Sequence, residues 1–146
     1  MKIFIALLVV SQAFSSYSQV PGQDHNSGAQ APKKTYKIVV KNELTADQNF
    51  TLVGKSLAEN DFMIEVKDKE FKTIRTASKS IDKTARGLRL LFSIRDHEIS
   101  VTGQATVATF SQIVLKGKGG PFVQLCFEQM QEFAMKLGAT VEFITE

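Results

Sequence analysis

An α+β fold, with one antiparallel β-sheet and two helices packed on one face, is predicted by three features of this sequence. Apolar residues recur with period two through most of residues 62–103, and with period 3.6 in two separate stretches. The breaks between several period-two stretches are too short for the crossover that parallel strands need. Each helical stretch carries an apolar stripe that must be buried against another layer. The expected order is β-α-β-β-β-β-(β)-α-β.

The first strand is TYKIVVK, where Tyr36, Ile38 and Val40 alternate with Lys37 and Lys41. Thr45-Ala-Asp-Gln48 then matches a capping box, in which the threonine hydroxyl and the glutamine amide satisfy each other's backbone N–H. It opens a helix from Ala46 to Glu59 with Ala46, Phe50, Val53 and Leu57 on one stripe, and Asn60 suits a left-handed stop. Gly54 weakens the helix interior by about 1 kcal/mol relative to alanine, so close packing against the sheet is expected there.

Strands are expected at 62–67, 71–78, 88–95 and 98–103, with hairpins at Asp68-Lys69-Glu70 and Asp96-His97. Residues 80–87 make a longer connection. TVATFSQIVLK (106–116) is β-prone but irregular, a strand plus a loop. Pro121 suits the first turn of a second helix that runs to Leu137, with Gly138 as its stop. Val123, Phe127, Met130, Ala134 and Leu137 form its stripe, widened by Phe122, Cys126 and Phe133. ATVEFIT closes the chain as a strand.

Three segments follow from composition. MKIFIALLVVSQAFSSYSQ has a basic start, an apolar core at 3–10 and small residues before Gln19, the pattern of a signal peptide over residues 1–18. Its apolar run is shorter than the ~20 residues a membrane-spanning helix needs, so no transmembrane segment is expected after cleavage. Residues 19–34, rich in Gly, Pro, Gln and Asn, read as a flexible leader, and 35–146 as a single α+β domain. The SYSQ ending resembles that of proteins exported by some Gram-negative bacteria, so a periplasmic or extracellular location is expected. With Cys126 as its one cysteine, the chain can form no internal disulfide.

Few residues carry chemistry. Arg95-Asp96-His97-Glu98 looks like a catalytic cluster, but it falls between LRLLFSI and ISVTG, where the alternating chain must reverse, and aspartate favours such turns. KGKGGP (116–121) precedes a helix start, where anions bind, yet it lacks the phosphate-loop spacing and reads as a turn. Cys126, among Phe122, Leu125 and Phe127, reads as a buried, inert thiol. His25 has no partner at ligand spacing, and Asn49-Phe50-Thr51 is a sequon inside a helix. No catalytic residue, metal or cofactor is expected. The remaining feature is a run of nine basic against three acidic side chains over residues 67–95. Within it Lys67, Lys72, Arg75, Arg89 and Arg95 form a candidate face for an anion or a partner, set against the ordinary charged surface that keeps an antiparallel sheet in water.

TYKIVVKNELTADQNF, the hairpin DKEFKTI and the pair LRLLFSIRDHEISVTG together resemble a family of exported bacterial proteins of unknown function with a TATA-box-binding-protein-like fold. The resemblance spans residues 35–103 and implies a fold and a compartment. It implies no catalytic residues and no promoter DNA, because fold does not fix function. The expectation is therefore a non-enzymatic binding module of the bacterial cell envelope, whose partner is an envelope protein or an anionic polymer. The alternative is a small-molecule carrier or weakly marked hydrolase with an apolar pocket between helices and sheet.

Overall fold

The computed structural model describes residues 30–108 and 110–146, so the expected signal peptide (1–18) and most of the expected leader (19–34) lie outside the described residues. The elements run β1 (Thr35–Lys41), α1 (Ala46–Glu59), β2 (Ile64–Asp68), β3 (Thr73–Thr76), β4 (Lys79–Ser80), β5 (Arg86–Arg95), β6 (Glu98–Val107), β7 (Phe110–Ile113), α2 (Pro121–Leu137) and β8 (Thr140–Thr145). All eight strands join one antiparallel sheet in the order β2-β3-β5-β6-β1-β8, with β4 added to β5 and β7 to β6.

The centre is the β5–β6 hairpin, paired without a break from Arg86↔Val107 to Arg95↔Glu98. Alternation decides its two faces. Leu88, Leu90, Phe92 and Ile94 on β5, with Ile99, Val101 and Ala105 on β6, are buried and join α1 and α2 in one core. Phe133 of α2 meets Phe62 and Phe92 edge-on, with ring centroids 5.5 and 5.7 Å apart, a geometry worth roughly 0.5–1.5 kcal/mol per pair. The opposite face, carrying Arg89, Leu91, Ser93 and Arg95, has no helix on it among the described residues.

The capping box of α1 is present: the Gln48 amide donates to Thr45 Oγ1, and the Thr45 amide donates to Gln48 Oε1. Its end differs from expectation. Asn60 keeps a negative φ of −109°, and the left-handed residue is Asp61 at 57°. The Asn60 amide group donates to the Ser56 carbonyl instead. Over Gly54 lies the ammonium end of Lys67, 3.1 Å from where a Cβ would sit, rather than sheet backbone. Gly138 ends α2 in extended backbone at φ 173°, and glycine is needed there because a Cβ would fall 2.8 Å from Val40 Cγ1.

Four further differences have local causes. The strand expected at 71–78 shortens to β3, the short strand β4 lies just beyond its expected end, and Phe71 is 73% exposed in the preceding turn. That turn is closed by Asp68, which accepts from the Phe71 amide at 2.9 Å, with Lys72 in a left-handed conformation. A bulge between Thr35 and Lys37 takes Tyr36 out of the alternating apolar row, leaving Ile38 and Val40 as the buried residues of that face. The irregular 106–116 segment resolves into the last residues of β6, the strand β7, and a buried Val114 whose amide donates to the Gly103 carbonyl. Order also begins ahead of Thr35: Ala31 is buried, and the Lys34 amide donates to the Lys116 carbonyl at 2.7 Å.

Helix α2 crosses the sheet at Gly103, where a Cβ would stand 3.0 Å from Met130 Sδ, 3.2 Å from Leu88 Cδ1 and 3.4 Å from Val114 Cβ. A branched side chain there must push the helix off the sheet. Gly103→Val is expected to cost about 1–3 kcal/mol, as overpacking does, read as a lower urea midpoint with an unchanged slope.

Candidate functional site

The RDHE quartet is the tip of the β5–β6 hairpin, with Asp96 and His97 as the reversing residues. His97 takes φ 62°, a conformation in which histidine is enriched among non-glycine residues. Its side chain is exposed, while its backbone N–H donates to the Leu44 carbonyl and its carbonyl accepts from the Asn42 amide. Asp96 accepts from the Ala46 amide at 2.7 Å, a carboxylate on the N-terminus of α1. Behind them Asn49 is fully buried. Its Nδ2 donates towards Asn42 Oδ1 and to the Leu44 and Arg95 carbonyls, and its Oδ1 accepts from Asn42 Nδ2 at 2.7 Å. The sequon asparagine is thus committed to the interior, tying the helix start to the hairpin tip. Sequence periodicity missed this because asparagine counts as polar on a helix stripe.

The other candidates resolve as simply. Cys126 is fully buried, and desolvation, followed by the nearby Asp82 carboxylate, pushes its thiol up to about 11. In the KGKGGP turn, Gly117 and Gly119 take φ of 73° and 89°. The Gln124 side chain fills the turn: it accepts from the Gly117 amide and donates to the Leu115 and Lys118 carbonyls. Phe50, Phe62, Phe92, Phe127 and Phe133, which could have lined a pocket between helices and sheet, are all buried in the core. Among the described residues no group of three His, Cys, Asp or Glu side chains is placed to hold a metal ion.

The structure separates the five candidate cations. Lys67 pairs opposite the buried Ile74, so it lies on the helix side, with its ammonium 5.1 Å from the Phe50 ring centroid. Lys72 also joins α1: it bonds Asp47 at 2.6 Å and holds that carboxyl below its ordinary range. Arg75, Arg89 and Arg95 occupy the open face. Two of these share one carboxylate, Glu65, which stands 3.0 Å from Arg75 Nε and 3.7 Å from an Arg89 terminal nitrogen. Arg95 is exposed and makes no ion pair within 4 Å among the described residues.

The open face forms a shallow trough of about 550 Å³. Its middle is hydroxylic, with Thr73, Ser93, Ser100 and Thr102, and Leu91 and Val66 add apolar surface. Tyr36 and Lys37 border it from β1, and Lys37 also lacks an ion-pair partner among the described residues. Neither Tyr36 nor Lys37 was a candidate, although the alternation of TYKIVVK places Lys37 opposite Ile38. On the same face Lys41 bonds Glu98 at 2.7 Å, with Glu142 at 3.9 Å. The hydrogen bond from Lys41 holds the Glu98 carboxyl below its ordinary range, and Glu98 in turn raises Lys41. Among the described residues, Lys37 and Arg95 are therefore the cations of this face with no carboxylate within 4 Å.

No protein-family profile and no curated protein sequence matches the chain. Among the described residues no helix is long and apolar enough to cross a membrane.

Removing the buried amide should be costly. Asn49→Ala leaves the Asn42 side chain and the Arg95 carbonyl short of a partner, and a loss of about 1–3 kcal/mol is expected in urea unfolding. The Lys41–Glu98 pair sets a pH window. Glu98 titrates lower folded than its ordinary 4.5, so its contribution is present above that pH and is lost as pH falls through the folded value. Lys41 titrates higher folded than its ordinary 10.5, so its contribution is lost as pH rises through the folded value. Lys41→Met should thus lose about 0.2–1 kcal/mol at neutral pH, the range for a solvent-screened pair. The gap from wild type should close at both acid and alkaline extremes in pH-resolved unfolding curves.

Proposed function

We propose that this protein is a non-enzymatic binding module of the bacterial cell envelope, exported by its N-terminal segment, that engages its partner on the helix-free face of the sheet. The observation that carries the reading is the trough on that face, where Lys37 and Arg95 are cations with no carboxylate within 4 Å among the described residues. The opposite face is consumed by the core, and at the hairpin tip Asp96 is engaged on the N-terminus of α1 while the His97 backbone bonds the β1–α1 loop. A face of hydroxyls, modest apolar surface and two open charges suits a complementary anionic partner, drawn in by electrostatic attraction and held by many weak contacts. The signal-peptide pattern of residues 1–18 supports placing this encounter in the envelope, and the α+β order is compatible with the TATA-box-binding-protein-like arrangement that the sequence resembles.

Capture from envelope extracts on the immobilised protein tests the proposal. Binding should weaken at about 1 M salt, where the Debye length falls to about 3 Å. The double variant Lys37→Glu/Arg95→Glu should retain less than a tenth of the captured partner. Lys69→Glu/Lys83→Glu makes the same charge change in loops away from the trough and should capture as wild type does. Equal capture by the two double variants removes this face from the account.

A further inference from the structure

We infer that the ligand of the open face is an extended acidic polypeptide segment with two carboxylates four residues apart, rather than a uniformly charged polyanion. The inference rests on the open face being the binding surface and adds the chemistry of what it takes.

Strand register places the two open cations. Lys37 stands in one cross-strand row with Thr102, Leu91 and Arg75, whereas Arg95 stands in a row with Glu98 and Lys41. The two are therefore two strands apart across the sheet and four residues apart along it, which is about 16 Å from the usual strand spacings. Leu91 and Lys41 stand at the other corners of this rectangle; Lys41 is already bound to Glu98, and Arg75, one strand beyond Leu91, to Glu65. The face thus presents one charge at each end of a diagonal.

Between those ends lie Ser93, Ser100 and Thr102, whose hydroxyls both donate and accept. That suits the alternating N–H and C=O groups of a peptide backbone. In an extended chain, residues i and i+4 point to the same side and stand about 13 Å apart, and the long Lys37 and Arg95 side chains can take up the difference. Ser100 stands midway along the diagonal, beneath the intervening side chain, and Leu91 adds apolar surface at a corner beside it.

A polyanion fits less well. Glu98 lines the same trough, held ionised by Lys41, and Glu65 stands beside Arg75 and Arg89. A chain with a charge on every unit must lay anions over these carboxylates, and like charges brought together on an interface are what excludes a wrong partner. The carboxylates act as a filter on charge spacing.

Fluorescence anisotropy with the full chain tests this. The probe is a labelled ten-residue peptide of Ser, Thr and Ala with two Glu residues four apart. Its isomer with the two Glu residues adjacent and inorganic polyphosphate are the comparisons. The spaced peptide should bind at least tenfold more tightly than its isomer, and Arg95→Glu should erase that preference. Absence of binding by the spaced peptide, or equal binding of the isomer or of polyphosphate, overturns the inference. The broader reading of this face fails separately, by extract capture that is indifferent to Lys37 and Arg95.

Discussion

The constraint on which the structure depends is the unbroken pairing of β5 with β6. Once Arg86 is set opposite Val107, each later residue of both strands is committed to one face by the pleat. A slip of one position would turn Leu90, Phe92 and Ile94 to water and bring Arg89 and Arg95 under the helices. Burial of the apolar set against α1 and α2 therefore fixes the register. The register in turn decides which hydroxyls and charges share the exposed side, so the core and the candidate binding surface occupy opposite faces of the same strands.

The hairpin tip locks this arrangement from its end. Its four titratable residues resemble an active site in one dimension, but in three they divide. Arg95 and Glu98 remain on the open face, Asp96 turns to the start of α1, and His97 makes the reversal. The Asn42–Asn49 pair, with Asn49 buried, closes the joint from behind, satisfying the backbone at the β1–α1 loop and the Arg95 carbonyl. A satisfied polar network specifies one geometry more sharply than apolar packing alone. The tip can hold both the helix entry angle and the end of the open face.

Much of the fold was legible because long runs obey one period. Residues 88–95 and 98–103 alternate cleanly, and α1 and α2 carry apolar stripes with their caps beside them. What could not be read has a common physical cause: each feature depends on contacts distant in sequence. The bulge beside Tyr36 follows from pairing with β8 at the other end of the chain. Asn49 is buried because the hairpin tip, 46 residues later, supplies its acceptor. The candidate site was legible in part. The placement of Arg89 and Arg95 on the open face followed from alternation, whereas their unequal fates depended on Glu65, which reaches across from β2 to Arg75 and Arg89. Charge counted along a sequence does not distinguish Lys67 and Lys72, which reinforce α1, from Arg95, which is left open.

The central claim is that the helix-free face binds and contributes little to holding the fold. Ser93 sits in the middle of that face and is exposed. A Ser93→Cys variant can be labelled there alone with a bulky uncharged maleimide, because Cys126 is buried with its thiol pushed up to about 11. The account predicts that the labelled protein unfolds at the same temperature as the unlabelled one and no longer captures its envelope partner. Undiminished capture, or a collapse of thermal stability on labelling, would contradict it.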